Sequence, residues 1–100
     1  MKLAIMDKTP HQLAEARIVL AEEYSRYSGR FAEMVKAQAV FFKENRKDHK
    51  SDTATQRAFE LTEDGVTMTI LKMKLKSIEK TMSAYNTYLR LKENEAKNLY

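Results

Sequence analysis

The residues best equipped for chemistry in this chain are lysines. Lys72, Lys76 and Lys80 recur at i, i+4 and i+8, and on a helix that spacing sets three ammonium groups in one row. Arg90 and Lys97 return to roughly the same face, where Glu79 is the one acid. Like charges four residues apart cost roughly 0.2–0.5 kcal/mol per pair, a cost that an anion bound along the row would offset. With Arg46, Lys47 and Lys50 of the segment KENRKDHK, such a row could track a phosphate backbone. Tyr88 and Tyr100 could then stack on single-stranded bases. The plainer reading is a solvated helix face, neutralised by Glu15, Glu22 or Glu33 of another helix. No helix-turn-helix spacing or basic-region motif supports duplex reading.

Other reactive constellations are few. His11 and Glu15 share a helix face at i, i+4, but two ligands do not make a metal site and no third is identifiable. His49 lies beside Asp48 in a charged connector, where solvation is the default. The helical di-iron arrangement needs Glu-x-x-His pairs, and the sequence has none. Glu22 and Glu23 are adjacent and so diverge on a helix. Gly29 and Gly65 are isolated, so no glycine-rich phosphate loop exists. The chain has no cysteine, which removes thiolate nucleophiles, thiolate metal sites and disulfides. The expectation is a protein without catalytic residues, cofactor, metal or small-molecule ligand.

The elements that must carry these side chains are helical. The stretch from Val66 to Lys80, VTMTILKMKLKSIEK, alternates apolar and polar like a strand for about ten residues, with one slip. A three–four rhythm runs far longer, through Met68, Leu71, Leu75, Ile78, Met82, Tyr85, Leu89, Ala96 and Leu99, interrupted only by Lys92. Periodicity of that length means helix. A matching seam runs through Leu13, Leu20, Tyr24, Tyr27, Phe31, Met34 and Phe41, with Arg17 and Gln38 as polar interruptions. Thr9, Pro10 and Gln12 supply a cap, a first helical residue and a capping box. Tyr24, Tyr27 and Tyr85 read as seam packing whose hydroxyls reach the edge.

These signals predict an all-α chain: an antiparallel hairpin of two long helices, about 10–46 and 63–99, each reaching about 50 Å. Gly29 weakens the first by about 1 kcal/mol relative to Ala, with a bend expected near Ser28–Gly29. A connector at 47–62 holds a short helix, about 52–61, capped by Ser51 or Asp52 and burying Ala54, Ala58, Phe59 and Leu61. Two readings stay open beyond it. Either Thr62 caps a new helix, or one helix continues through Gly65. Residues 1–8 form a short arm whose Leu3, Ile5 and Met6 dock on the body.

With 100 residues, one domain is expected. Two glycines and one proline leave little material for turns, which again favours few, long helices. The net charge is +4. Residues 51–65 carry one Lys/Arg against four Asp/Glu, whereas residues 66–100 carry seven against three. The apolar run in MKLAIM is too short for a signal-peptide core. No run approaches the roughly 20 apolar residues of a membrane span. A cytoplasmic protein with no membrane partner is the expectation.

The seam does not use all the apolar residues. Ile18, Val19, Ala39 and Val40 fall outside it on the first helix, and Ile70, Met73 and Leu91 on the last. A two-helix hairpin leaves these wet, and exposed patches of that kind mark interfaces. The expectation is a homo-oligomer, most simply a dimer forming a helical bundle or coiled coil; the plainer alternative is that the arm and the short helix cover these residues within a monomer.

The block Arg57 to Tyr100, with Phe59, Thr62, Gly65, Lys80, Ser83, Leu89 and Glu95, resembles small helical proteins of unassigned role encoded by bacteriophages and prophages. The resemblance implies an accessory protein inside an infected bacterium, acting on nucleic acid or on a host or phage protein. It transfers no functional residues. The expected function is therefore a non-enzymatic oligomeric adaptor, or an inhibitor of a host or defence protein. The alternative is a nucleic-acid-binding accessory protein of phage replication or recombination.

Overall fold

Capping residues set where each helix begins in the computed structural model, which describes residues 9–98. The Thr9 N–H donates to Gln12 Oε1 at 3.0 Å, and the Gln12 N–H donates back to Thr9 Oγ1 at 3.2 Å. This reciprocal box satisfies donors that a helix start leaves open. Helix α1, Pro10–Asn45, follows without a break through Ser28 and Gly29. It stops where Asn45 Nδ2 donates to the Phe41 carbonyl at 2.9 Å. A 3₁₀ turn, Arg46–Asp48, leads on. There Arg46 Nε donates to Asp52 Oδ1 at 2.6 Å and Arg46 Nη1 to the His49 carbonyl at 2.9 Å.

Ser51 rather than Asp52 caps α2, Asp52–Glu60: its Oγ accepts from the Ala54 N–H at 3.1 Å. Leu61 ends that helix, and α3, Glu63–Asn98, starts anew. Thr62 makes the junction. Its Oγ1 donates to the Phe59 carbonyl at 2.6 Å and accepts from the Gly65 N–H at 3.1 Å. The first turn of α3 carries Glu63 and Asp64, which suit the positive end of the helix dipole. The question left open at Gly65 is thereby answered: the chain breaks at Leu61–Thr62, and Gly65 lies in the new helix.

Gly65 is buried, with no positive φ. Its lack of a side chain matters for space. A Cβ there would overlap the Phe59 carbonyl oxygen and lie 2.7 Å from Glu60 Cα. The turn between α2 and α3 is tight enough that only glycine fits.

The described residues form two compact units, divided between Tyr24 and Ser25 on α1 and between Leu75 and Lys76 on α3. The terminal unit holds the start of α1 and the end of α3. The connector unit holds the rest of α1, α2 and the start of α3. Each is antiparallel in α1 and α3. In the terminal unit Tyr24 meets Glu79, while Ala14 to Ala21 line a groove with Met82. In the connector unit Lys74 Nζ lies 5.0 Å from the Tyr27 ring centroid, while Phe41 meets Phe59 and shares a hollow with Thr62.

The core follows the α3 heptad. Leu71, Ile78 and Tyr85, seven residues apart, are buried. The alternate seam positions Met68, Leu75, Met82 and Leu89 are half-buried. On α1 only Leu13 is fully buried, and the other apolar seam residues from Leu20 to Phe41 are half-covered. The two polar interruptions differ. Gln38 donates through Nε2 to Gln56 Oε1 of α2 and so helps seat the short helix. Arg17 is exposed.

The short helix buries Phe59 as expected, but adds Thr55 and leaves Leu61 out. Thr55 and Phe59, one turn apart, are its buried pair, and Ala54 and Ala58 flank them half-covered. Thr55 is tolerated inside because its hydroxyl donates to the Ser51 carbonyl at 2.9 Å. Leu61 is 85 % exposed. As the residue after the last helical turn, it no longer follows the helical face. The expectations for the arm, for Leu99 and Tyr100, and for the Ala96 side chain lie outside the described residues.

Candidate interaction surface

A seam of two helices covers each from one side, and the residues on the flanks stay in water. All seven apolar residues nominated for an interface, Ile18, Val19, Ala39, Val40, Ile70, Met73 and Leu91, are exposed, Met73 at 67 %. The units divide them. Ile18, Val19 and Leu91 belong to the terminal unit, and Ala39, Val40, Ile70 and Met73 to the connector unit. Sequence reasoning passed over Val35, Leu61 and Val66, which are exposed as well. The heptad register would have found Val35 and Val66, since neither falls on a seam position.

Two concavities accompany these residues. In the terminal unit, Ala14, Arg17, Ile18, Ala21 and Met82 line an open groove. In the connector unit, Ala37, Val40, Phe41, Glu44, Phe59, Thr62 and Asp64 line a hollow of about 330 Å³. Phe41 and Phe59 are both in its lining, with ring centroids 5.5 Å apart and planes inclined by 59°. Three helices contribute to it, which is why no spacing in the sequence announced it.

The basic residues are also divided. Lys72, Arg46, Lys47 and Lys50 lie in the connector unit, and Lys76, Lys80, Arg90 and Lys97 in the terminal unit. All are exposed. Ion pairs among the described residues join His11 to Glu15 at 3.0 Å, Arg46 to Asp52 at 2.6 Å, and Lys92 to Glu95 at 3.8 Å. None of them engages the lysine row, so the expected neutralisation by α1 glutamates is not made there. Arg46 is committed to bracing the connector. Tyr88 has Lys92 Nζ 5.5 Å from its ring centroid.

The tyrosines meet the packing expectation. Tyr85 is buried, while Tyr24 and Tyr27 are half-buried. The Tyr24 hydroxyl donates to Glu79 Oε1 at 2.7 Å. That hydrogen bond and the charge of Glu79 push the Tyr24 phenol above its ordinary pKa of 10.0.

Among the described residues no three His, Asp or Glu side chains come together as a metal site, and no helix is long and apolar enough to cross a membrane. His11 Nε2 lies 3.0 Å from Glu15 Oε1, one helical turn on, and both side chains are exposed. Compared with protein-family models, curated proteins and solved structures, the chain matches none.

Proposed function

We propose that this chain is a non-enzymatic helical accessory module that self-associates, most simply as a dimer, and works by binding another protein. One observation carries the reading. Among the described residues, five large apolar side chains form the buried core, and nine others are exposed. A small domain gains most of its stability from burial, so a surface richer in large apolar groups than the core calls for a partner. The resemblance of residues 57–100 to small phage-encoded helical proteins supports placing it in an infected bacterium, as an adaptor or an inhibitor of a host or defence protein.

The test is sedimentation of the wild type and of the Ile70→Lys/Met73→Lys variant across micromolar concentrations, with capture from bacterial lysate alongside. Oligomers that the variant loses support the reading. A monomer throughout, with only the bait recovered, rejects it.

A second reading, nucleic-acid binding in phage replication or recombination, is favoured by the exposed Lys72, Lys76 and Lys80, which have no ion-pair partner among the described residues. Arg46 weakens it, because its guanidinium is already engaged. Fluorescence anisotropy with single- and double-stranded DNA decides. Binding that falls with salt and is lost on Glu substitution of the three lysines supports it; no binding at low salt removes it.

A further inference from the structure

The hollow of the connector unit has an unusual lining for its chain. In a protein of net charge +4, its wall carries two carboxylates, Glu44 at the end of α1 and Asp64 in the first turn of α3. Neither makes an ion pair or side-chain hydrogen bond within the described residues. The same lining holds Ala37, Val40 and the half-buried Phe41, with the buried Phe59 behind it. Asp64 lies in the stretch 51–65, which holds one basic residue against four acidic, whereas Glu44 lies in KENRKDHK, where four Lys/Arg stand against two acids.

We propose that this hollow receives an arginine side chain presented by a partner polypeptide. The inference rests on the protein-binding role proposed above and names the chemistry of the partner. An arginine matches the lining part by part. Its methylene stem lies on Ala37 and Val40, as long cationic side chains do on apolar surface. Its planar guanidinium stacks on an aromatic ring and takes carboxylates through several N–H donors. Lysine offers a compact, more strongly hydrated charge without that planar fit. The positive end of the α3 dipole lies nearby, but it amounts to about half a charge, against two full carboxylate charges. The Gly65 N–H of that turn is already spent on Thr62. Charge complementarity of this kind speeds and selects encounter with a basic partner.

The test uses methyl-labelled full-length protein and three small probes in NMR titration: N-acetylarginine methylamide, its neutral citrulline counterpart, and N-acetyllysine methylamide. The arginine probe is expected to shift the methyls of Ala37, Val40 and Thr62 with saturation in the millimolar range. The citrulline probe leaves them unmoved, and the lysine probe binds several-fold more weakly. The Glu44→Gln/Asp64→Asn double variant alters exposed groups and keeps the fold, which circular dichroism verifies. It is expected to weaken the arginine probe at least tenfold. Absent shifts, equal shifts with citrulline, or undiminished binding by the variant overturn the proposal. Concentration-dependent shifts of the same methyls in the protein alone, abolished by the double variant, seat a second copy there and overturn the assignment to another polypeptide. The protein-binding reading is judged separately, by the Ile70→Lys/Met73→Lys sedimentation, because those positions lie outside the hollow's lining.

Discussion

Gly29 and Gly65 show how one residue type does opposite things in one fold. A Cβ added at Gly29 meets nothing within 4 Å, and the residue sits mid-helix. Gly29→Ala is therefore expected to stabilise the protein by up to about 1 kcal/mol, read as a higher urea midpoint with an unchanged slope. At Gly65 the same methyl drives into the Phe59 and Glu60 backbone. Gly65→Ala is expected to cost at least roughly 1–3 kcal/mol, the usual range for overpacking, because backbone cannot swing aside as a side chain can. Equal effects at the two sites would contradict the tight α2–α3 turn. Tyr24 gives the pH counterpart. Its phenol has a raised folded-state pKa, so the linked stability is fully present below about pH 10 and is lost as pH climbs through the folded value. In an absorbance titration at alkaline pH, Glu79→Gln is expected to let that phenol ionise earlier. An unchanged titration would remove the Tyr24–Glu79 bond from the account.

The helices are held at their ends by side chains that cap rather than pack. Ser51 and Thr62 each accept a hydrogen bond from an N–H three residues on, and removing such a cap typically costs about 0.5–2 kcal/mol. Thr62 also ties back to the Phe59 carbonyl. Thr62→Ala is expected to cost more than Ser51→Ala in chemical denaturation, and the reverse order would count against Thr62 as the hinge of the connector. These caps explain why the helix bounds were legible in the sequence. Thr9, Ser51 and Thr62 each stand immediately before a periodic run, and the observed bounds fall within a residue or so of those expected. The buried stripe Leu71, Ile78 and Tyr85 was legible for the same reason, since a heptad is a local signal. What stayed hidden depends on three helices meeting. The burial of Thr55, the Gln38–Gln56 bond and the acidic-rimmed hollow all follow from where α2 settles on α1 and α3. No spacing along one helix encodes that contact.

At the scale of the whole molecule the imbalance between covered and exposed apolar surface has a thermodynamic signature. If burial completes itself between copies, unfolding becomes coupled to dissociation, and stability depends on protein concentration. For a dimer, each tenfold rise in concentration is then worth about 1.4 kcal/mol, visible as a steady climb of Tm between about 1 and 100 µM. The climb should vanish in the Ile70→Lys/Met73→Lys variant. Exposed substitutions away from special features change an isolated chain by roughly 0.5 kcal/mol or less, so at the lowest concentration variant and wild type should melt close together. They should separate as concentration rises, with the wild type gaining and the variant flat. Parallel, concentration-independent curves would mean that the five apolar side chains buried among the described residues suffice for a stable monomer. The apolar flanks would then be reserved for a different protein, and the search for a partner would start from the connector unit, where Ala39, Val40, Ile70 and Met73 lie exposed.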